Sequence, residues 1–191
     1  MAKGAGAGMR FHNMQSDKKK WDKKRWAVSV RWFHWSSVAL LFLVWLMIAL
    51  ADSDVQGFAF MDWHKALGVS LLFWILARLM NRIISSSVPP ISMPKWQHHI
   101  AVLTHLALYA TLIAMPMAGM LMVMYAGRSI SMFGLFEIGG WVTPDRTMSR
   151  FFNNLHTDIL WPLLLIFMGL HVAGALYHQF VLKDNILQRI R

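Results

Sequence analysis

The sequence predicts an all-α protein: a four-helix transmembrane bundle with both termini on the cytoplasmic side. Three observations support this fold class. The chain has four apolar runs near or above the roughly 18–20 residues that cross a bilayer. Of its 191 residues, 57% are hydrophobic, and its basic residues are concentrated on one side of the predicted spans. We therefore expect a membrane domain over residues 27–191, preceded by a leader over residues 1–26.

The leader differs in composition from everything that follows it. It begins with the Gly/Ala-rich stretch MAKGAGAG and ends with the basic stretch DKKKWDKKRW. This end is too charged to be the apolar core of a signal peptide, and it adjoins a full-length hydrophobic run. We expect a flexible segment that becomes a juxtamembrane anchor.

Four apolar segments, separated by polar or turn-rich connectors, are the predicted spans. They cover Arg31–Ala51, Trp63–Ile84, Ile100–Tyr125 and Asn154–Leu182. Pro116 and Pro162 lie inside the third and fourth spans, which membrane helices tolerate when neighbours satisfy the freed carbonyl. The connector SSSVPPISMPKWQHH separates the second and third spans. The longest loop is Ala126–Asn153, and its SISMFGLFEI stretch is expected to lie along the membrane surface.

The distribution of charge predicts the orientation. With four spans, the leader, the second connector and the C-terminal tail share one side, and that side carries most of the 19 Lys and Arg. The other side has slightly more acidic than basic residues. Because cytoplasmic loops are enriched in Lys and Arg, both termini are predicted to be cytoplasmic. The net charge of +10 is therefore an orientation signal, and we expect no nucleic-acid partner.

Cysteine is absent from the chain. This excludes disulfides, thiolate-held iron–sulfur clusters, a CxxCH haem attachment site and a cysteine nucleophile. Any metal chemistry must therefore use the nine histidines.

Four of the histidines fall at two matched depths. His34 and His171 lie near the cytoplasmic ends of the first and fourth spans, whereas His64 and His156 lie near the external ends of the second and fourth. At 1.5 Å per residue, His156 and His171 are about 22 Å apart along the helix. Pairs of imidazoles from facing helices are what bis-histidine ligation of a b-type haem iron requires. The alternative is that each is an interfacial hydrogen-bonding histidine, although ionisable residues inside a membrane are costly.

The spacing of the two fourth-span histidines presents a geometric difficulty. Fifteen residues at 100° each leave His171 about 60° from His156 around an ideal helix. A helix bulge that absorbs one residue reduces the effective separation to fourteen residues. The two histidine side chains then differ in direction from those on an ideal helix. We predict such a distortion near Trp161–Leu165, next to Pro162.

Short motifs along the chain point to a known family. RWFHW opens the first span, WHKALG and ARLMNR open and close the second, and THLALY opens the third. The fourth span has LH at its start and GLHVAGALYH at its end, and KDNILQRI follows it. In this order, from about Val30 onward, the chain resembles the bacterial cytochrome b561 family, four-helix di-haem b proteins that include superoxide oxidase. In the family pattern the two fourth-span histidines are one residue closer than here, a departure that the predicted bulge would reconcile.

The resemblance implies two haem b groups in a multi-pass protein of the bacterial inner membrane. Their axial iron ligands would be His34, His64, His156 and His171, in the pairs reached from depth. Arg78 could bind a propionate of the inner haem, because its planar fork matches a carboxylate; the alternative is that it reaches toward lipid phosphates. His105 is the rival ligand at the inner haem, and the resemblance favours a propionate or structural hydrogen bond for it instead.

The resemblance also supports a quinone site near His178, with Lys183 and Asp184 beside it. His178 lies two turns beyond His171 on nearly the same face, and imidazole both donates hydrogen bonds and exchanges protons near neutral pH. The alternative is an ordinary interfacial histidine.

An iron with two strong axial ligands has no open position, which leaves one-electron transfer as its chemistry. We therefore expect transmembrane electron transfer between a periplasmic one-electron partner and the membrane quinone pool, with ubiquinone or another quinone as substrate. The acidic Asp52, Asp54 and Asp62 favour a cationic cytochrome c-like donor. Superoxide oxidase, a superoxide:quinone oxidoreductase, is the specific alternative; Lys65, Arg128, Arg146 and Arg150 could attract superoxide. A haem-free transport or structural subunit is the second alternative, although transporter sites usually lie near the midplane.

Overall fold

The computed structural model describes residues 25–51, 57–85, 88 and 93–191. This part of the chain contains four helices that are long and apolar enough to cross a membrane, which confirms the predicted fold class. Three of them are α1 (Val28–Ala51), α2 (Gly57–Ile84) and α3 (Lys95–Tyr125). The predicted leader lies outside the described residues except for Arg25 and Trp26, so the division at residue 27 stays a prediction.

The fourth span is one continuous helical segment, Arg146–Val181, with two wide turns in it. Its parts are α4 (Arg146–Asn154), a π turn (Leu155–Leu160), α5 (Trp161–Leu176) and a second π turn (Tyr177–Val181). The segment begins eight residues before the predicted start at Asn154, because Asp145 caps it. The Asp145 carboxylate accepts hydrogen bonds from the amides of Thr147 and Met148, at 2.7 and 3.0 Å.

Consecutive spans are neighbours. Helix α1 packs on α2, α2 on α3, and α3 on both α4 and α5. The first and fourth spans do not pack on each other in this way within the described residues, and neither do the second and fourth. Each span is therefore held mainly by the spans before and after it in the sequence. Spans that are not sequence neighbours pack less closely on each other.

A β-hairpin occupies the loop between α3 and α4. Strands β1 (Ile130–Met132) and β2 (Phe136–Ile138) pair antiparallel, with Met132 opposite Phe136. The turn between them has positive φ at Phe133 and Gly134, 57° and 75°, as in a type I′ turn. We call this end of the molecule the hairpin end.

The SISMFGLFEI stretch, expected along the membrane surface, thus folds as a hairpin with one face packed on the helices. Alternate residues of a strand point to one face, and Ile130 and Met132 are accordingly buried together. They pack against the start of α2 and the end of α3, in a hydrophobic cluster with Ala66, Val69 and Val123. This hydrophobic cluster therefore lies at the hairpin end.

Both described ends of the chain meet at the opposite end of the bundle, which we call the termini end. A short helix α6 (Leu187–Ile190) lies against the start of α1. The Trp26 amide donates to the Arg189 carbonyl at 3.0 Å, and the Trp35 indole N–H donates to the Ile190 carbonyl at 3.0 Å. The Arg31 guanidinium also donates to the carbonyl of Arg191. These bonds tie the tail to the first span.

Candidate functional site

The structure brings four histidine rings together in two pairs. The ring centroids of His34 and His171 are 6.3 Å apart, near the termini end. Those of His64 and His156 are also 6.3 Å apart, near the hairpin end. We call these the termini-side pair and the hairpin-side pair. Each joins side chains from two spans that do not pack directly on each other, so each pair faces across a separation between helices.

The spacing within each pair fits bis-imidazole ligation. Imidazole nitrogen binds a metal such as zinc at about 2.0–2.1 Å, and roughly 1.1 Å more reaches the ring centre. Two imidazoles on opposite sides of one iron would thus have centroids about 6 Å apart. No group of three or more His, Asp or Glu side chains in the described residues could hold an ion. The described residues therefore offer two separate imidazole pairs as candidate iron ligands.

Backbone carbonyls fix the orientation of the hairpin-side rings. His64 Nδ1 lies 2.9 Å from the Val44 carbonyl oxygen, and His156 Nδ1 lies 2.8 Å from that of Met115. A carbonyl only accepts, so Nδ1 carries the proton in both rings and Nε2 keeps its lone pair. This is the tautomer of a metal-binding histidine whose second nitrogen is held by the protein. In both rings Nε2 is therefore the atom that could bind a metal.

Gly119 of α3 allows the His156 ring to sit against the helix. A Cβ at position 119 would lie 3.0 Å from His156 Cε1 and 3.1 Å from Nδ1. A side chain at this position therefore requires the His156 ring to shift by a few tenths of an ångström. Sequence reasoning missed this residue; the only signal was a glycine in the middle of an apolar span.

We expect Gly119→Ala to lower the haem content of the hairpin-side site and Gly119→Val to empty it, because each added carbon displaces the His156 ring. Haem per protein, measured from the absorbance of the pyridine haemochrome, reports the loss. Gly169→Ala is the matched control: nothing lies within 4 Å of a Cβ built there, and position 169 faces away from His171. Full haem content in Gly119→Val would contradict this role.

The predicted helix distortion is present, but the predicted position was wrong. The π turn is Leu155–Leu160, before Pro162, rather than Trp161–Leu165. The Trp161 amide donates to the carbonyl of His156, five residues back. A proline ring clashes with the carbonyl four residues earlier, here that of Asp158, so the turn that widens is the one preceding the proline. The turn contains His156 itself and absorbs one residue between the two fourth-span histidines.

Deletion of Ile159 should therefore be tolerated. The exposed Ile159 lies inside the π turn, and its removal allows a regular helix with His156 and His171 in nearly the same relation. We expect about two haems per chain to be retained. The control is deletion of exposed Ala39 in α1, a continuous α-helix, which rotates His34 by about 100° relative to the rest of the span. That variant should lose the termini-side haem, measured by the same haemochrome assay. Equal haem loss in both deletion variants would contradict the idea that the π turn compensates for the extra residue between His156 and His171.

The termini-side pair has different surroundings. Arg78 Nη2 donates to His34 Nδ1 at 2.8 Å, and its guanidinium lies 5.6 Å from the centre of the Tyr109 ring. The expected rival, His105, is also close: its ring is 5.1 Å from that of His171. His105 Nδ1 lies 2.5 Å from the Ala101 carbonyl of its own helix. Arg78 and His105 thus both lie beside the termini-side pair; the bond from Arg78 to His34 was not anticipated from the sequence.

His178 forms a close pair with Asp184. Its Nδ1 donates to Asp184 Oδ2 at 2.6 Å, and the other carboxylate oxygen, Oδ1, is buried without a hydrogen-bond partner. His178 lies in the second π turn, where the Leu182 amide bonds the Tyr177 carbonyl at 3.1 Å. Lys183, with a φ of 55°, is exposed beside this pair. The three residues predicted for the quinone site are therefore adjacent at the termini end.

At the hairpin end, the basic residue beside His64 is already paired. Lys65 Nζ lies 2.5 Å from Asp62 Oδ1, which reduces its pull on an external anion. The three arginines of this end are exposed: Arg128, Arg146 and Arg150. Asp52 and Asp54 lie outside the described residues.

Comparison with known proteins identifies the family. The model of the family described as prokaryotic cytochrome b561 matches residues 25–191. Cytochrome b561 homolog 1 of Escherichia coli (strain K12) is 29% identical over 171 residues, 83% of this chain and 92% of the relative. Cytochrome b561 homolog 2 of the same organism is 28% identical over 174 residues, 87% of this chain and 91% of the relative. The Yersinia pestis protein named "Probable superoxide oxidase CybB" is 32% identical over 171 residues, 82% of this chain and 90% of the relative. With four membrane-spanning helices and this match, the chain is a bacterial multi-pass membrane protein that belongs to the prokaryotic cytochrome b561 family, which implies b-type haem and membrane electron transfer.

Proposed function

We propose that this protein carries electrons across the bacterial inner membrane through two haem b groups, between a periplasmic one-electron partner and the quinone pool. His34 and His171 would hold one haem, and His64 and His156 the other. The observation that supports this most directly is the pair of 6.3 Å ring spacings, one near each end of the bundle. The excess of Lys and Arg at the termini end favours a cytoplasmic location for both termini.

When bound, the two haems supply reversible one-electron chemistry without an open iron position. The protein would hold the imidazole rings that bind them. Val44 and Met115 orient the hairpin-side imidazoles through their carbonyls. The pairs are about 22 Å apart along the fourth span, so each lies nearer one membrane surface than the other. Electrons therefore enter and leave at opposite ends of the bundle.

The quinone would be reduced at the termini end beside His178. Reduction of a quinone to a quinol takes up two electrons and two protons, so the site needs a proton donor as well as an electron source. The His178–Asp184 pair provides one: the carboxylate orients the imidazole through Nδ1 and leaves Nε2 free to exchange a proton with a quinone oxygen. Lys183 adds a positive charge beside it.

Superoxide oxidation is the specific form of this activity that a relative's name favours. Two superoxide anions would each give one electron and leave as oxygen, while one quinone and two protons become quinol. Exposed Arg128, Arg146 and Arg150 at the hairpin end would attract the anion. The ion pair between Lys65 and Asp62 reduces the positive charge available to attract superoxide. A cationic cytochrome c-like donor is therefore the competing partner.

Spectra of the detergent-purified protein test the proposal. A sharp reduced α-band and about two haems per chain are expected; a colourless preparation, made under conditions where a b-type control cytochrome fills with haem, would overturn it in favour of a haem-free subunit. The donor is identified by mixing the oxidised protein and a quinone analogue with either superoxide or reduced cytochrome c and timing haem reduction. Superoxide that reduces the haem no faster than a control containing superoxide dismutase would retire the superoxide oxidase form.

A further inference from the structure

The nitrogen atoms that face away from the two proposed irons have opposite electrostatic surroundings. On the hairpin side, both Nδ1 atoms donate to backbone carbonyls, at 2.9 and 2.8 Å. On the termini side, His34 Nδ1 faces the guanidinium of Arg78 at 2.8 Å. A carbonyl carries partial negative charge, whereas a guanidinium carries a full positive charge and has no acceptor atom. Both proposed sites use imidazole pairs, but the groups next to the Nδ1 atoms differ. They are backbone carbonyls on the hairpin side and a guanidinium on the termini side.

The cation at the termini side is not neutralised by a carboxylate. Among the described residues, the ion pairs are Lys65 with Asp62 and His178 with Asp184, and neither involves Arg78. The half-buried guanidinium lies between the His34 ring and the face of the Tyr109 ring. On the hairpin side the nearest cation in sequence, Lys65, is paired with Asp62. Among the described residues, a cation without a carboxylate partner therefore adjoins the termini-side pair but not the hairpin-side pair.

These surroundings shift the two reduction potentials in opposite directions. An Nδ1–H that donates to a carbonyl makes imidazole a more basic ligand, and a more basic ligand favours the ferric state. A neighbouring cation favours the ferrous state, because reduction lowers the charge at the iron. In the low dielectric of the bundle interior a nearby charge acts strongly.

Iron binding does not remove this charge. Because Arg78 only donates, Nδ1 of His34 holds a lone pair in this structure and Nε2 carries the proton. Binding iron through Nε2 requires the proton to move to Nδ1, after which the guanidinium must turn its donors away from the ring. Its charge stays beside the ring, and the Nδ1–H of His34 has a cation rather than a carbonyl as its neighbour.

We propose that Arg78 raises the reduction potential of the termini-side haem above that of the hairpin-side haem, so that electron transfer from the hairpin side to the termini side is downhill. This rests on the proposed function and adds to it the regulation of the same sites. Transfer between the sites oxidises one iron and reduces the other by one electron, and it needs no co-reactant. An electron entering at the hairpin end would then run downhill toward the His178 end.

Redox titration of the purified holoprotein, followed in the α-band, tests the proposal. We expect two midpoint potentials. The haem that remains in His156→Ala, on the termini side, should titrate at the higher value, and the haem that remains in His171→Ala should titrate at the lower one. Arg78→Gln should lower only the higher potential, by at least about 59 mV, a tenfold change in a one-electron equilibrium. Arg78→Lys should keep most of the difference, since it keeps the charge.

The control is Arg82→Gln. Arg82 is one turn further along α2, where its guanidinium stacks over the Trp26 ring at 4.1 Å, and its removal should leave both potentials unchanged. Equal or inverted potentials in the wild-type protein would overturn the proposal, as would an Arg78→Gln variant with unchanged potentials. An Arg78→Gln variant that loses the termini-side haem would also overturn it, since Arg78 would then hold the haem rather than tune it. A wild-type protein with fewer than two haems would instead overturn the proposed function.

Discussion

Replacing His156 by alanine is expected to lower the haem content from about two haems per chain to about one. The hairpin-side site has one imidazole from each of two helices, and within the described residues no third His, Asp or Glu side chain joins the pair to form a metal site. His171→Ala should remove the other haem in the same way. The double variant should contain none. Haem per protein from the pyridine haemochrome measures all three, and circular dichroism checks that the helices remain.

The termini-side site needs a sharper design, because His105 is near enough to compete. Its ring is 5.1 Å from His171, closer than the 6.3 Å between His34 and His171. We expect His34→Ala to lose one haem and His105→Ala to keep both. The opposite result, haem loss in His105→Ala with full content in His34→Ala, would reassign the ligand pair to His105 and His171. Full haem content in both His156→Ala and His171→Ala would contradict bis-histidine ligation altogether.

The sequence predicts the spans and the depths of the histidines well, because both depend on position along a helix. An apolar run of about 20 residues must cross the bilayer, and a rise of 1.5 Å per residue then fixes how deep each histidine lies. The rings of His34 and His171, and of His64 and His156, were paired on that basis alone. The structure places both pairs at 6.3 Å.

Features that depend on packing in three dimensions were not predicted. The clash of Pro162 with an earlier carbonyl moves the wide turn to Leu155–Leu160, and the burial of Ile130 and Met132 makes a hairpin of a stretch that resembles a surface segment. Gly119 matters because a Cβ at position 119 would lie only 3.0 Å from the ring of His156, a residue 37 positions away along the chain. No local pattern in the sequence contains these contacts.

The His178–Asp184 pair gives the second large effect. We expect His178→Phe and Asp184→Asn to slow electron transfer to quinone by roughly 10²-fold or more, the low end of what general acid–base catalysis contributes. His178→Phe removes the proton carrier. Asp184→Asn removes the carboxylate that accepts from Nδ1 at 2.6 Å and so releases the imidazole from its orientation. Both should keep about two haems per chain, because neither residue belongs to a ligand pair.

The measurement is stopped-flow reoxidation of the pre-reduced protein by a soluble ubiquinone analogue, with ferricyanide as the matched acceptor. Ferricyanide takes one electron and no proton, so its rate should be unchanged in both variants if the pair acts through protons. His98→Ala, an exposed histidine near the start of α3 at the same end of the bundle, controls for the loss of any histidine there. Slowing of both acceptors alike would mean that the pair supports the structure around the termini-side haem, and wild-type rates with quinone would place the quinone elsewhere. The expected result is a loss of rate with the quinone analogue alone. It would show that His178 and Asp184 supply protons to a quinone that receives its electrons from the haem held by His171, one and a half to two turns away.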